Sequence, residues 1–197
     1  MLIKDAVALI IGFIFGMIPF SHLLGRIKGV DLKSFGSGNI GATNLGRALG
    51  MPFFIAGFIL DGLKGLIPVL LAHSFAAPGA FAGAGAILGH IFNPFFSFKG
   101  GKGVSTTIGV TIGLVPKSFL VSFIIWIILY FTTFIVSLCS LAFAVLISPV
   151  AFLLKEGTIT DRIFIIIIAL LVIYAHRSNI KRLLHKEEPK TIFWKKK

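Results

Sequence analysis

Long apolar runs alternate along the chain with short polar breaks rich in glycine and basic residues. Ala6–Phe20, Phe119–Phe131 and Ile163–Ala175 carry no charge at all. A helix needs about 20 predominantly apolar residues, within a range of about 17–25, to cross a bilayer. Several stretches qualify, and the pattern predicts helices over 3–25, 51–73, 79–98, 104–116, 118–133, 134–154 and 162–176. The loops at 26–50, 97–103 and 176–197 are basic. Basic loops mark the cytoplasmic side, so an even number of spans should separate each pair of them. Two fit between Arg47 and Lys99; between Lys102 and His176 the even choices are two or four, and four is favoured, with Pro116 and Lys117 punctuating a short fourth helix from the fifth. The expected protein is all-α: a seven-transmembrane-helix bundle, one membrane-embedded domain over 1–197, N-terminus outside and C-terminus cytoplasmic. The 104–116 segment is short for a full crossing, and a re-entrant helix is the rival reading there.

Composition agrees. The hydrophobic fraction is 56%, only 13% of residues are charged, and mean hydropathy is +0.99. Soluble domains average roughly 25% charged residues, so a water-facing surface could not be covered. Met1–Phe20 could be read as a signal peptide, but no small-x-small cleavage site follows and further hydrophobic segments do. It is taken as the first span. The single cysteine, Cys139, implies neither a disulfide nor a metal site.

The net charge of +12 is unevenly placed: eight Lys/Arg and two Glu lie from Arg177 to Lys197, and four Lys/Arg and one Asp between Arg26 and Arg47. In a membrane protein such loops attract anionic lipid headgroups, so membrane lipids are expected partners and nucleic acid is not.

Three polar clusters carry candidate chemistry. The first runs from Phe35 through Gly36, Ser37, Gly38, Asn39, Ile40, Gly41, Ala42, Thr43 and Asn44 to Arg47. Its small residues let backbone approach a ligand, its neutral side chains offer hydrogen bonds, and Arg47 supplies a fork suited to phosphate. An anion site is the reading, against a plain polar turn. The second, Phe98 to Thr107 with Lys99, Gly100, Gly101, Lys102 and Gly103, opens a helix whose exposed N–H groups and flanking lysines attract phosphate. It is not a Walker A loop, because Phe96 stands where Gly is required and Gly103 follows the lysine instead of Ser or Thr. The third, Tyr174 to Arg182, closes the last helix. His176 and Asn179 are three apart and should share a helical face; the imidazole can move protons near neutral pH.

Asp61 and Lys64, an i,i+3 pair inside an apolar run, are expected to neutralise each other. Ser137 and Ser140 share a face of the sixth segment, for helix packing or for a ligand. His90 is expected to support the adjacent loop. The histidines at 22, 73, 90, 176 and 185 form no metal constellation, and no Gly-x-Ser-x-Gly elbow is present; neither a metal nor another cofactor is expected.

These clusters, in this order, resemble the bacterial acyl-phosphate:glycerol-3-phosphate acyltransferase family, PlsY. The resemblance rests on Gly36 to Asn44 through Arg47, then Leu88-Gly89-His90 leading to Phe98 to Gly103, then His176 to Leu184 with Glu188 beyond. It covers essentially the whole chain, including the Asp61/Lys64 segment and Ser137 to Ser140. Phe134 departs from it, standing where many members carry an Arg or another polar residue.

The resemblance implies a seven-helix enzyme of the bacterial inner membrane with its site at the cytoplasmic face. The reaction would be fatty acyl transfer from acyl phosphate to the 1-hydroxyl of sn-glycerol 3-phosphate. The products would be 1-acyl-sn-glycerol 3-phosphate and phosphate, the first acylation of phospholipid synthesis. Carried onto this chain, Ser37, Asn39, His176 and Asn179 would be catalytic. Gly36, Gly38, Gly41, Thr43, Asn44, Arg47, Lys99, Gly100, Gly101, Lys102, Gly103, Ser140 and Glu188 would bind substrate. Ser37, Gly38, Asn39 and Thr43 go to the acyl-phosphate group, and Arg47, Lys102, His176 and Asn179 to glycerol 3-phosphate. The general base is either His176 or an oxygen of the acyl phosphate itself. Two other classes compete: a small-anion transporter, whose inverted repeats and midplane breaks are not visible here, and a purely structural membrane subunit.

Overall fold

A computed structural model describes residues 3–193 of the chain; the terminal lysines at 195–197, counted above in the basic tail, lie outside them. All regular elements among the described residues are helices: α1 (Ile3–Met17), α2 (Phe20–Ile27), α3 (Ala42–Leu49), α4 (Met51–Ser74), α5 (Gly79–Ile91), α6 (Val104–Leu114), α7 (Pro116–Thr133), α8 (Val136–Leu153), α9 (Ile159–Ala175) and α10 (Arg177–Leu184), with one 3₁₀ turn at Pro94–Phe96.

Each of the seven predicted segments is helical over most of its length, the first as two helices, α1 and α2. Four are long and apolar enough to cross a membrane: Ile3–Ile27, Met51–Ser74, Pro116–Thr133 and Val136–Leu153. The pair Ile159–Ala175 and Arg177–Leu184, bent by 60°, makes a fifth if it counts as one span. The segment expected over 79–98 is helical only to Ile91. At 1.5 Å per residue its 13 residues reach about 20 Å, short of a hydrocarbon core of about 30 Å. The reason is local: Asn93 and Pro94 turn the chain, with the Asn93 carboxamide oxygen accepting from Phe95 N at 3.0 Å. The 104–116 segment is likewise short, at 11 residues.

The described chain forms two compact units, 3–113 with Phe193, and 114–192. In the first, α1 lies along α5 on a seam of small residues. A Cβ on Gly12 or Gly16 would meet the backbone of Ala82 or Ala86, and one on Gly85 or Gly89 would meet α1. Lipid tails are as apolar as leucine, so membrane helices associate by close van der Waals packing, which small residues at four-residue spacing permit. Gly109 of α6 meets the backbone of Gly62 on α4 in the same way.

The first span is interrupted at Ile18 and Pro19, which leaves backbone carbonyls without helical donors inside an apolar layer. Side chains satisfy them. Asn93 Nδ2 donates to Met17 O at 2.7 Å, and Lys64 Nζ donates to Ile18 O at 2.6 Å. Lys64 also pairs with Asp61 at 2.9 Å, as expected from sequence, and Ser21 donates to the other carboxylate oxygen. Both charges are buried. A charge at membrane depth is tolerated when paired and hydrogen-bonded, and this one also mends a broken helix.

In the second unit, α7 packs on α8 and α8 on α9. The α8–α9 connection caps α7: Glu156 accepts from Lys117 N at 2.8 Å, Ser118 N at 2.7 Å and Ser118 Oγ at 2.7 Å. Partial burial pushes the Glu156 carboxyl up, but these bonds and the Lys117 charge outweigh it and hold it below the ordinary value. At the other end Tyr130 donates to Thr191 O at 3.0 Å, while Thr191 N donates to Phe134 O at 2.7 Å. Phe134, the position that departs from the family pattern, thus caps α7 in a left-handed conformation.

Candidate functional site

The first cluster is half loop and half helix, which its sequence does not announce. Residues 36–41 form a tight loop and Ala42–Leu49 is α3, so Thr43 and Arg47 sit one turn apart on one face. Gly36 and Gly38 have φ of +55° and +67°, a region that favours glycine. Their small size serves a second end, since a Cβ on Gly36 would stand 2.6 Å from Asn44 Oδ1.

Asn44 is the staple of the loop. It is 1% exposed, its Oδ1 accepts from Ser37 N at 3.2 Å, and its Nδ2 donates to Leu32 O, Phe35 O and Asn39 O at 2.9–3.0 Å. The amide is committed to backbone, so Asn44 shapes the loop that presents Ser37 and Asn39 instead of reaching a ligand. Asn39 Oδ1 in turn accepts from Gly41 N at 3.0 Å, at the start of α3.

The second cluster departs from the expected phosphate cradle in one respect. The N–H groups of Gly100 and Gly101 are not open: they donate to Ile91 O at 2.9 Å and His90 O at 3.1 Å. The glycines are there because the strand of loop lies against the end of α5, where a Cβ on Gly101 would strike the His90 ring. His90 supports the loop, as expected. Lys99 is exposed, Lys102 half-buried and Gly103 buried, just ahead of α6.

These two clusters lie together in the first unit. Lys33 Nζ donates to Lys99 O at 2.7 Å and sits 5.1 Å from the centre of the Phe96 ring. Sequence reading passed over Lys33 because one lysine in a basic loop looks like any other.

The third cluster is built in the second unit, with a correction to its geometry. His176 and Asn179 do not share one continuous helical face: the chain bends by 60° between α9 and α10, His176 is the residue at the bend, and Asn179 lies in the first turn of α10. His176 is buried, and its Nδ1 lies 2.8 Å from Val172 O. A carbonyl only accepts, so Nδ1 carries the proton and Nε2 is the nitrogen with basic character.

Glu188 organises what surrounds it. Its Oε1 accepts from Asn179 Nδ2 at 2.6 Å and Ser137 Oγ at 2.8 Å, and its Oε2 pairs with Arg182 at 2.6 Å. Burial pushes the carboxyl up, yet the bonds from Arg182, Ser137 and Asn179 and the Arg182 charge outweigh it and hold it below the ordinary carboxylate value. Both oxygens being engaged, Glu188 orients Asn179 and joins α8 to α10. Ser140 donates to Val136 O of its own helix at 2.8 Å. Among the described residues no group of three His, Cys, Asp or Glu could hold a metal ion.

A family model described as glycerol-3-phosphate acyltransferase matches residues 6–186. The chain belongs to that family. It is thereby an acyltransferase, and the resemblance stated from the motifs holds. The glycerol-3-phosphate acyltransferase of Aquifex aeolicus is 42% identical over 190 residues, covering 94% of this chain and 98% of its own length. That of Geotalea daltonii is 44% identical over 182 residues, covering 90% and 93%. Among solved structures, PlsY, an integral membrane glycerol 3-phosphate acyltransferase, superposes in its glycerol 3-phosphate form with a TM-score of 0.89 at 37% identity, covering 94% of each chain. Its lysophosphatidic acid form gives 0.88 over the same coverage. With an acyltransferase family and acyltransferase neighbours on hand, the transporter reading is left without support.

Proposed function

We propose that the chain transfers a fatty acyl group from acyl phosphate to the 1-hydroxyl of sn-glycerol 3-phosphate, giving 1-acyl-sn-glycerol 3-phosphate and inorganic phosphate. The observation that carries this is the joining of the loop that presents Ser37 and Asn39 to the loop that presents Lys102, through the Lys33–Lys99 contact. The neighbour's glycerol 3-phosphate and lysophosphatidic acid forms match the acceptor and the product. In the reaction the acceptor oxygen bonds to the acyl carbon, the bond from that carbon to the phosphate oxygen breaks, and the hydroxyl proton passes to a base. Acyl phosphate is already activated, so catalysis is mainly positioning and charge stabilisation. Ser37, Gly38, Asn39 and Thr43 hold the acyl-phosphate group. In the first unit Arg47 and Lys102 hold the acceptor phosphate, with Asn44 fixing the loop shape behind them. Arg47→Lys keeps the charge but loses the planar fork that matches phosphate. It is expected to raise the KM for glycerol 3-phosphate with normal membrane insertion, and wild-type kinetics in that variant would remove Arg47 from the site.

The same reading places the chain in the bacterial inner membrane as seven spans, N-terminus outside, with all three clusters cytoplasmic. Cysteines introduced at Ser34, Lys99 and Lys181 in a Cys139→Ala background are expected to resist an impermeant thiol reagent in intact cells. Labelling of any one from outside contradicts the arrangement.

A further inference from the structure

Lys33 belongs to none of the three motifs, yet it is fixed from both sides. Its backbone N–H donates to Asp31 Oδ1 at 2.9 Å, while the other Asp31 oxygen is held by Arg26 at 2.7 Å. Its carbonyl lies 3.2 Å from where a Cβ on Gly38 would stand, so the residue borders the Gly36–Gly38 turn. Its ammonium reaches Lys99 O at 2.7 Å over the Phe96 ring, and the His22 ring meets Phe96 edge-on at 5.0 Å between centres. The carbonyl it grips is followed by Gly100 and Gly101, which are anchored on α5, and Lys102 comes next.

We propose that Lys33 is a positioning residue for acyl transfer, setting the Lys99–Gly103 loop in register with the Gly36–Asn44 loop so that Lys102 meets the acceptor phosphate. The inference rests on the proposed function, in which these two loops hold the substrates. A cation is required because the contact is charge-assisted at the carbonyl and is reinforced at the ring face; a neutral side chain loses both. Lys33 is exposed, and exposed charge contacts contribute little to global stability. Its loss therefore reads in substrate binding and leaves unfolding alone, which separates positioning from support of the fold.

The test is steady-state kinetics and thermal unfolding of the purified full chain. Lys33→Met is expected to raise the KM for glycerol 3-phosphate about threefold to fivefold, the upper scale of an exposed charge contact, with kcat within about twofold of wild type and the unfolding temperature unchanged. Lys33→Arg retains the wild-type KM. Phe96→Leu raises it in the same direction, and the double variant Lys33→Met/Phe96→Leu adds little to Lys33→Met alone, since both act through one contact. A wild-type KM in Lys33→Met, a drop in kcat and unfolding temperature with KM unchanged, or an elevated KM in Lys33→Arg overturns the proposal. If the wild-type chain shows no transfer from acyl phosphate, the proposed function fails by itself. Calorimetric affinity for glycerol 3-phosphate then decides Lys33: a weakened Kd in Lys33→Met supports it, and an unchanged one overturns it.

Discussion

Lys64→Met is expected to destabilise the folded chain by about 3–5 kcal/mol, the usual cost of removing one partner from a buried ion pair. The side chain is 0% exposed and does two things at once, neutralising Asp61 at 2.9 Å and donating to Ile18 O at 2.6 Å. Its removal leaves a carboxylate at membrane depth with Ser21 donating to it, and takes from the broken first span the donor that covers Ile18 O. The double variant Asp61→Asn/Lys64→Met removes the orphaned charge and is expected to recover part of the loss, because replacing both members of a buried pair costs less than breaking it. Thermal unfolding in detergent ranks the three proteins. A double variant no more stable than Lys64→Met contradicts the electrostatic account.

His176→Gln separates two roles. If His176 takes the acceptor proton, its loss removes a catalytic factor of about 10²–10⁴ from kcat, and the acidic limb of the pH profile disappears. If it orients the acceptor, Gln keeps a hydrogen-bonding group, kcat is largely preserved, KM rises and the limb stays. The second outcome is the expected one. His176 is packed at the α9–α10 bend with its Nδ1–H on Val172 O, a placement that fixes the direction of Nε2, and acyl phosphate carries basic oxygens beside the reacting carbonyl. A loss of kcat of about 10²-fold or more with KM unchanged and the limb gone makes His176 the base.

The apolar segments were legible because membrane depth imposes composition: each predicted run is helical over most of its length, broken in the first at Ile18 and Pro19 and cut short in the third at Ile91, and the Asp61/Lys64 spacing announced its ion pair. What escaped was local structure that depends on tertiary partners. The α3 sequence ATNLGRAL has no apolar run to reveal a helix; its order comes from the Asn44 staple and from Phe193, which stacks on Phe54 at 4.1 Å over Gly46. Similarly, the helix end expected at 176 falls where α9 stops, but the 60° turn into α10 was not legible in the sequence.

Site chemistry was legible by residue type and not by role. Asn44 and Glu188 both stood out as polar residues in glycine-rich or basic surroundings, but in the fold their atoms are spent on Ser37, Leu32, Phe35 and Asn39, or on Ser137, Asn179 and Arg182. Gly100 and Gly101 looked like a phosphate cradle, and pack instead on the end of α5. A signal for each existed, since small residues are needed wherever backbone comes close, to a ligand or to the chain itself. Sequence does not say which.

The central claim is the donor, acyl phosphate, and the acceptor, glycerol 3-phosphate. It is tested most directly by incubating purified protein in detergent with both and measuring phosphate released against lysophosphatidate formed. The account predicts one phosphate for each lysophosphatidate, in a reaction that needs neither a sealed compartment nor a thioester donor. Phosphate release without lysophosphatidate, or lysophosphatidate formed only when a thioester donor replaces acyl phosphate, would contradict it.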